Sequence, residues 1–305
     1  MVFWKTYPML RILESQWNKD IFKDLQFERQ EQYTIDVKMD RDHILEIKTF
    51  LKNHFGNPPT TPVFDIPEDI LYGERDILFY IRDTIIIGCI RYHYMGTFLD
   101  KEIYCVDCFC IHPLWRKKGI GDYLLTTLHV YANRNKIPYA MFLKEGYLHI
   151  INMPLYSSIY VYRKIEKSNH SVISLTTEDA YKLIDIFCKF NSIFIIKNKE
   201  NKNQYWKLYK KGNYKVLACI QDTYQRFKGN KIGCITGWIE SPIDSCEEAS
   251  IHISNSMYGI FDYIWGNKKW IGNSNDWKMD GSFHWYSYQW TTSIPIHKSY
   301  CILDQ

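Results

Sequence analysis

Residues 103–121 read IYCVDCFCIHPLWRKKGIG, and the parsing of this stretch decides the fold. Through Ile111 it is apolar and suits an extended chain; it then runs into DYLLTTLHVYANRNK, where Leu124, Leu128 and Tyr131 recur on one helical face. Between these segments stand three cations, Arg116, Lys117 and Lys118, and two glycines, Gly119 and Gly121. A strand therefore passes into a helix, over about Gly119 to Asn135, through a basic turn punctuated by glycine. At the first turn of a helix the backbone N–H groups lack intrahelical partners, and the aligned peptide dipoles leave partial positive charge. Glycines there remove the Cβ atoms that would block a phosphate, and the cations add charge, so the turn is built to cradle an anion. A solvated basic turn is the alternative reading of the same six residues.

Working outward, ILFYIRD (77–83) and TIIIGCIRYHYMG (84–96) read as two strands with a tight turn near Asp83, and EIYCVDCFCIHP (102–113) as a third. YAMFLK (139–144) supplies another strand after the helix. The order β-β-β-α-β implies an α+β fold, a mixed and largely antiparallel sheet with flanking helices. Upstream, RDHILEIKTFLKNHF (41–55) sets Ile44, Ile47, Phe50 and Leu51 at helical spacing, and the Pro-rich GNPPTTPVFDIP (56–67) reads as a loop. Past a polar break, IEKSNHS (165–171), the segment TTEDAYKLIDIFCKF (176–190) opens on a Thr cap and an acidic pair and carries Leu183, Ile184 and Phe187 at helical spacing. The strands QYWKLYKKGNYKVLACIQD (204–222) and KIGCITGWIE (231–240) follow. A helix followed by strands thus occurs twice, which predicts two domains, residues 1–167 and 168–305.

Composition narrows the function. The chain has 305 residues, 46% hydrophobic and 24% charged, enough for a sizeable core. A net charge of +4, dispersed along the chain, is no nucleic-acid footprint. No apolar run approaches the ~20 residues of a membrane span, and the start MVFWKTYPML lacks a secretory signal, so no integral membrane association is expected. Nine scattered cysteines suit a reducing compartment, and the expected location is cytoplasmic. Cys105, Cys108, Cys110 and His112 offer metal-ligand types within eight residues. A single strand cannot close a tetrahedron around zinc, so these thiols are read as core packing and no metal is expected.

The pattern Arg-x-x-Gly-x-Gly at Arg116–Gly121 resembles the pyrophosphate loop of the GNAT acyltransferases, which hold coenzyme A there. Further stretches resemble N-myristoyltransferase, a tandem-GNAT family: FWKTYP (3–8), FDIPEDIL (64–71), DCFCIHP (107–113) with RKKGIG, PLYSSIYVYRKI (154–165), DGSFHWYSYQW (280–290) and the closing CILDQ (301–305). The resemblance implies two tandem GNAT-like domains, the first binding acyl-CoA and the second the peptide. It implies transfer of myristate from myristoyl-CoA, the co-substrate, to the N-terminal glycine amine of peptides or proteins, by a monomer that needs no metal.

By the same resemblance the thioester carbonyl sits against the backbone amides of Cys108 and Phe109, where a strand bulge frees them. The main-chain carboxylate of Gln305 is the implied general base; a free C-terminal carboxylate has an intrinsic pKa of ~3.5 and needs desolvation to act. Val2, Phe3 and Trp4 would cover the CoA and acyl chain, with Cys110, Ile111, Arg116, Lys117, Lys118, Gly119, Ile120 and Gly121 lining the rest. For the peptide, Phe64, Tyr160, Tyr162, Asp280 and Gly281 occupy matching positions. The general form of the RKKGIG turn also admits a GNAT that uses acetyl-CoA on a protein or small amine. A third reading is a catalytically silent module for acyl-CoA or lipidated peptides.

Overall fold

Ile86–Phe98 is buried along nearly its whole length, and a segment enclosed on both faces has to be a central strand. A computed structural model of the chain describes residues 37–56, 61–98, 100–148, 154–168, 172–188, 194–199, 201, 203–242, 247–271, 275–290 and 300–302. Its first half lays down β1 (Val37–Lys38), α1 (Ile44–His54), β2 (Val63–Phe64), α2 (Glu68–Leu71), β3 (Ile77–Arg82), β4 (Ile86–Phe98), β5 (Lys101–Ile111), α3 (Ile120–Arg134), β6 (Ala140–Glu145) and β7 (Tyr156–Lys164). The second half continues with β8 (Ile173–Leu175), α4 (Thr177–Cys188), β9 (Phe194–Ile196), β10 (Tyr205–Lys211), β11 (Tyr214–Phe227) and β12 (Asn230–Ser241). It closes with α5 (Glu247–Asn255), β13 (Tyr263–Asn267), α6 (Lys268–Ile271), β14 (Lys278–Tyr288) and β15 (Tyr300–Ile302).

The main path of the sheet runs β1-β3-β4-β5-β6-β14-β7-β13-β12-β11-β10-β8. Neighbours along it are antiparallel except for two parallel pairs, β5 with β6 and β12 with β13. The order is symmetric about the β14/β7 contact. Each half contributes a helix, an antiparallel meander, a second helix and a strand parallel to the last of the meander, then sends its final strand across, so that β7 pairs β13 and β14 pairs β6. The helix-then-strands order of the sequence is this repeat, and its exchanged strands interleave the two halves.

Local signals set these elements. Asp83 N donates to Ile85 O (3.0 Å) in the turn between β3 and β4. On α1 the buried residues are Ile47, Phe50 and Leu51, with Ile44 half-buried. Thr176 caps α4, its Oγ1 accepting the Asp179 N–H at 3.1 Å. The buried face of α4 is Ala180, Tyr181 and Ile184, leaving Leu183 and Phe187 half-buried, and the Tyr181 hydroxyl accepts the Asn198 N–H at 2.9 Å. The segment read as a loop differs in one respect: Val63 and Phe64 pair with Arg226 and Gln225 of β11. Proline forbids a long strand there but leaves these two residues free to pair. Trp290 joins the halves, its indole N–H donating to Ala140 O (2.9 Å) and its ring stacking on Phe194. No helix of the described residues is long and apolar enough to cross a membrane.

Candidate active site

β5 and β6 are paired only at Tyr104↔Ala140 and Cys105↔Met141, after which β6 follows β14 and the two parallel strands part. Beyond Cys105 that edge of β5 borders a wedge with no strand in it among the described residues. The symmetry-related wedge between β12 and β13 holds β15, which pairs Cys301 with Gly237 and Tyr300 with Trp238. Among the described residues the two halves are alike in topology and differ in whether a strand stands in this gap.

At the mouth of the β5/β6 wedge the β4/β5 register steps from Cys89↔Cys110 to Arg91↔Asp107, so Cys108 and Phe109 together face Ile90. Cys108 adopts a φ of +46°, a left-handed conformation that costs a non-glycine residue roughly 1–2 kcal/mol. Such a bulge leaves its extra residue out of the ladder and bends the strand locally. The Cys89 thiol donates to the Cys108 carbonyl at 3.3 Å, fixing the opposite side of the bulge.

The basic turn follows. His112 Nδ1 accepts the Leu114 N–H (3.3 Å) across the short 3-10 turn Pro113–Trp115. Lys117 and Gly119 take φ of +65° and +81°, and Gly119 stands at the N-cap of α3 with no side chain to satisfy the first N–H groups. Arg116 folds back, its Nε donating to Ile111 O (3.1 Å), and the Lys118 ammonium lies 4.9 Å over the Trp115 ring. Arg116, Lys117 and Lys118 are all solvent-exposed. Ile120 and Cys110 are buried, and burial pushes the Cys110 thiol up to about 12.

A cavity of about 510 Å³ occupies the wedge. On one side of the sheet it is lined by Phe64, Ile66, Thr223, Tyr224 and Gln225; on the other it follows α3 past Leu125, Leu128 and Ala132 toward Phe142 and Leu148. Cys108 and Phe109 lie on its wall between these ends. Its character is mainly apolar, with polar groups at few places. His129, on the α3 side, meets the Tyr288 hydroxyl at 2.8 Å, and burial pulls its pKa down to about 4, so the ring is neutral.

Of the sequence-predicted peptide contacts, Phe64 lines the cavity directly. Tyr160 stacks on Trp265 (4.2 Å between ring centres), and Asp280 accepts the Trp265 indole N–H at 2.7 Å; Trp265 and Phe283 line the cavity, so both predicted residues reach it through a neighbour. Gly281 sits close to Phe283 and Glu145. Tyr162 lies further along β7, opposite Trp265 and Lys278, with its ring edge-on to Tyr263. Val2, Phe3, Trp4 and Gln305 lie outside the described residues.

Sequence reasoning missed the charged pair on the cavity wall. Arg91, enclosed on β4, forks onto Asp107 through Nε (2.7 Å) and Nη2, and donates Nη1 to Ile70 O (2.7 Å). Asp76 stands 3.8 Å from Arg91 Nη1 and accepts from His93 Nδ1 and the Tyr94 N–H, each at 2.9 Å. Burial by itself raises the Asp76 carboxyl, but the His93 bond and charge, then Arg91 and the Tyr94 N–H, outweigh it and leave it below the ordinary carboxylate value. Burial likewise works against the Arg91 cation, and the Asp107 charge holds its pKa well above the usual one. The signal was an arginine inside the apolar run TIIIGCIRYHY, since a charge on a central strand demands a partner. Among the described residues no group of three or more His, Cys, Asp or Glu side chains is arranged to hold a metal.

Residues 44–158, from α1 into β7, match the model of the acetyltransferase (GNAT) family, so the chain carries a GNAT acetyltransferase domain in its first half. Over nearly its whole length it is similar in fold to solved structures of Saccharomyces cerevisiae N-myristoyltransferase. One, with bound myristoyl-CoA, gives a TM-score of 0.64 at 10% identity over 96% of this chain and 89% of that one. Another, with bound myristoyl-CoA and inhibitors, gives 0.63 at 9% identity over 96% and 90%. At such identities the likeness is one of fold. No curated protein matches the chain in sequence.

Proposed function

We propose that this chain transfers a long acyl group, myristate, from its CoA thioester to the N-terminal glycine amine of peptides or proteins. The observation that carries the reading is the apolar cavity in the β5/β6 wedge, which has the Cys108–Phe109 bulge on its wall and continues along α3. The diphosphate of CoA would rest on the first turn of α3 at Gly119–Gly121, beside Arg116, Lys117 and Lys118. The acyl chain would follow Leu125, Leu128 and Ala132. Each methylene it buries is worth about 0.8 kcal/mol, so the cavity would favour a long chain over acetyl.

In the reaction the amine nitrogen attacks the thioester carbonyl carbon. The carbonyl oxygen becomes an oxyanion, held by the amides at Cys108 and Phe109. Collapse forms the amide, breaks the C–S bond and expels CoA as a thiolate, which takes up a proton. Donors fixed in advance where the charge develops are worth a few kcal/mol each. The amine must lose a proton, and the main-chain carboxylate of Gln305 is the acceptor we assign, with Val2, Phe3 and Trp4 over the donor. The division at residues 167 and 168 then separates the half that carries the acyl donor, along with Phe64, Tyr160 and Tyr162, from the half that adds the peptide contacts Asp280 and Gly281.

The test is a panel of acyl-CoAs from acetyl to palmitoyl, incubated with glycine-initiated peptides and read by CoA release and mass spectrometry. Transfer that rises steeply with chain length to the glycine amine is expected. Acetyl transfer at an equal or greater rate would instead make it a short-chain acetyltransferase, and tight acyl-CoA binding with no product would make it a binding module.

A further inference from the structure

We propose that the Asp107 carboxylate binds the ammonium of the incoming acceptor, which makes it an acceptor-binding residue of this site. The inference rests on the acyl-transfer reading and names the charge its second substrate must bring. Asp107 is the only carboxylate among the described residues that line the cavity. It immediately precedes the bulge residue Cys108, and adjacent α-carbons are about 3.8 Å apart. A cation held at its side chain therefore stands beside the place assigned to the reacting carbonyl.

The side chain is oriented for this. Arg91 fixes both carboxylate oxygens in a planar fork and spends Nη1 on Ile70 O, so the fork has little freedom. A carboxylate offers about four acceptor sites and the fork uses two. The Asp107 side chain keeps 26% of its surface, whereas that of Arg91 keeps 3%. The other cation on the cavity wall, Lys144, has its ammonium within reach of the carbonyls of Glu145, Gly146 and Tyr147 (2.8, 3.4 and 3.3 Å). Nor is a charged pair needed here for folding alone, since apolar side chains of similar volume often serve as well.

The experiment reads binding rather than turnover. Protein loaded with a non-transferable thioether analogue of myristoyl-CoA is offered two pools of short peptides, one starting with glycine and one with glycolic acid, which puts a hydroxyl where the ammonium stands. Wild type should retain the ammonium pool about ten- to a hundredfold better, the span of one charge-assisted hydrogen bond. Asp107→Asn, which keeps one acceptor for Arg91, should bring the ratio close to one with binding of the analogue unchanged, and Asp107→Glu should restore part of it. A wild-type ratio near one, or a full preference surviving in Asp107→Asn, overturns the inference. Should Asp107→Asn fail to fold, Asp107→Glu decides: a preference identical to that of wild type overturns the inference. Loss of wild-type turnover in the acyl-CoA panel would count against the transfer reading instead.

Discussion

A methyl carbon placed on Gly121 would stand 3.0 Å from Cζ of Phe109, so the first turn of α3 packs directly on the bulge of β5. The turn that would take the diphosphate and the strand that would take the carbonyl thus share one contact. Crowding it should disturb chemistry more than binding. Gly121→Ala asks Phe109 to give by a few tenths of an ångström, and a small loss is expected. Gly121→Val forces the ring aside at a cost of about 1–3 kcal/mol. Its kcat should fall about ten- to a hundredfold, with a smaller change in CoA affinity, as followed by CoA release and calorimetry.

Ala132 lies on the cavity wall eight residues from Leu124 along α3, where larger side chains would shorten the space for an acyl chain. Ala132→Phe should move the preferred acyl-CoA to a shorter chain and leave the CoA moiety bound as before. The acyl-CoA panel reads this directly; an unchanged chain-length profile would remove the α3 side of the cavity from acyl recognition.

Arg91 holds two carboxylates, and Arg91→Met leaves Asp107 and Asp76 without it. Breaking one side of a buried ion pair costs about 3–5 kcal/mol. Urea denaturation should show a loss of that size, and the double variant Arg91→Met/Asp107→Asn should recover part of it, because it no longer strands that charge.

How much of this was legible in the sequence depends on how local the signal is. The passage from β5 to α3 is legible because the β-rich run ending at Ile111, the glycines and the Leu124/Leu128 spacing all lie within one stretch. The bulge itself leaves no trace in the letters: nothing about Cys108 announces a left-handed backbone, and only the resemblance pointed to it. β2 is hidden by prolines and exists because β11 recruits it. The insertion of β14 between β6 and β7 pairs Phe283 with Glu145 and Ser158, a contact that no local periodicity reports. Arg91 and Asp107 are adjacent only through the strand register, so each reads alone as an oddity.

Stability should fall in mild acid through His129. Its pKa drops from 6.5 to about 4 because burial disfavours the charged ring. The unfolded chain therefore binds a proton that the folded one refuses. This contribution is whole above pH 6.5 and is lost as pH falls toward 4. At about 1.36 kcal/mol per pKa unit the shift amounts to roughly 3 kcal/mol. His129→Gln should flatten the stability profile over that window; an identical slope in the variant would assign the acid sensitivity elsewhere.

The most direct test of the central claim is a crystal structure with a non-transferable thioether analogue of myristoyl-CoA that retains the carbonyl. The account predicts that carbonyl oxygen within hydrogen-bond distance of the main-chain amide at Cys108 or Phe109, the diphosphate on Gly119–Gly121, and the acyl chain beside Leu125, Leu128 and Ala132. An acyl chain lying outside the β5/β6 wedge, or a carbonyl away from the bulge, would contradict it.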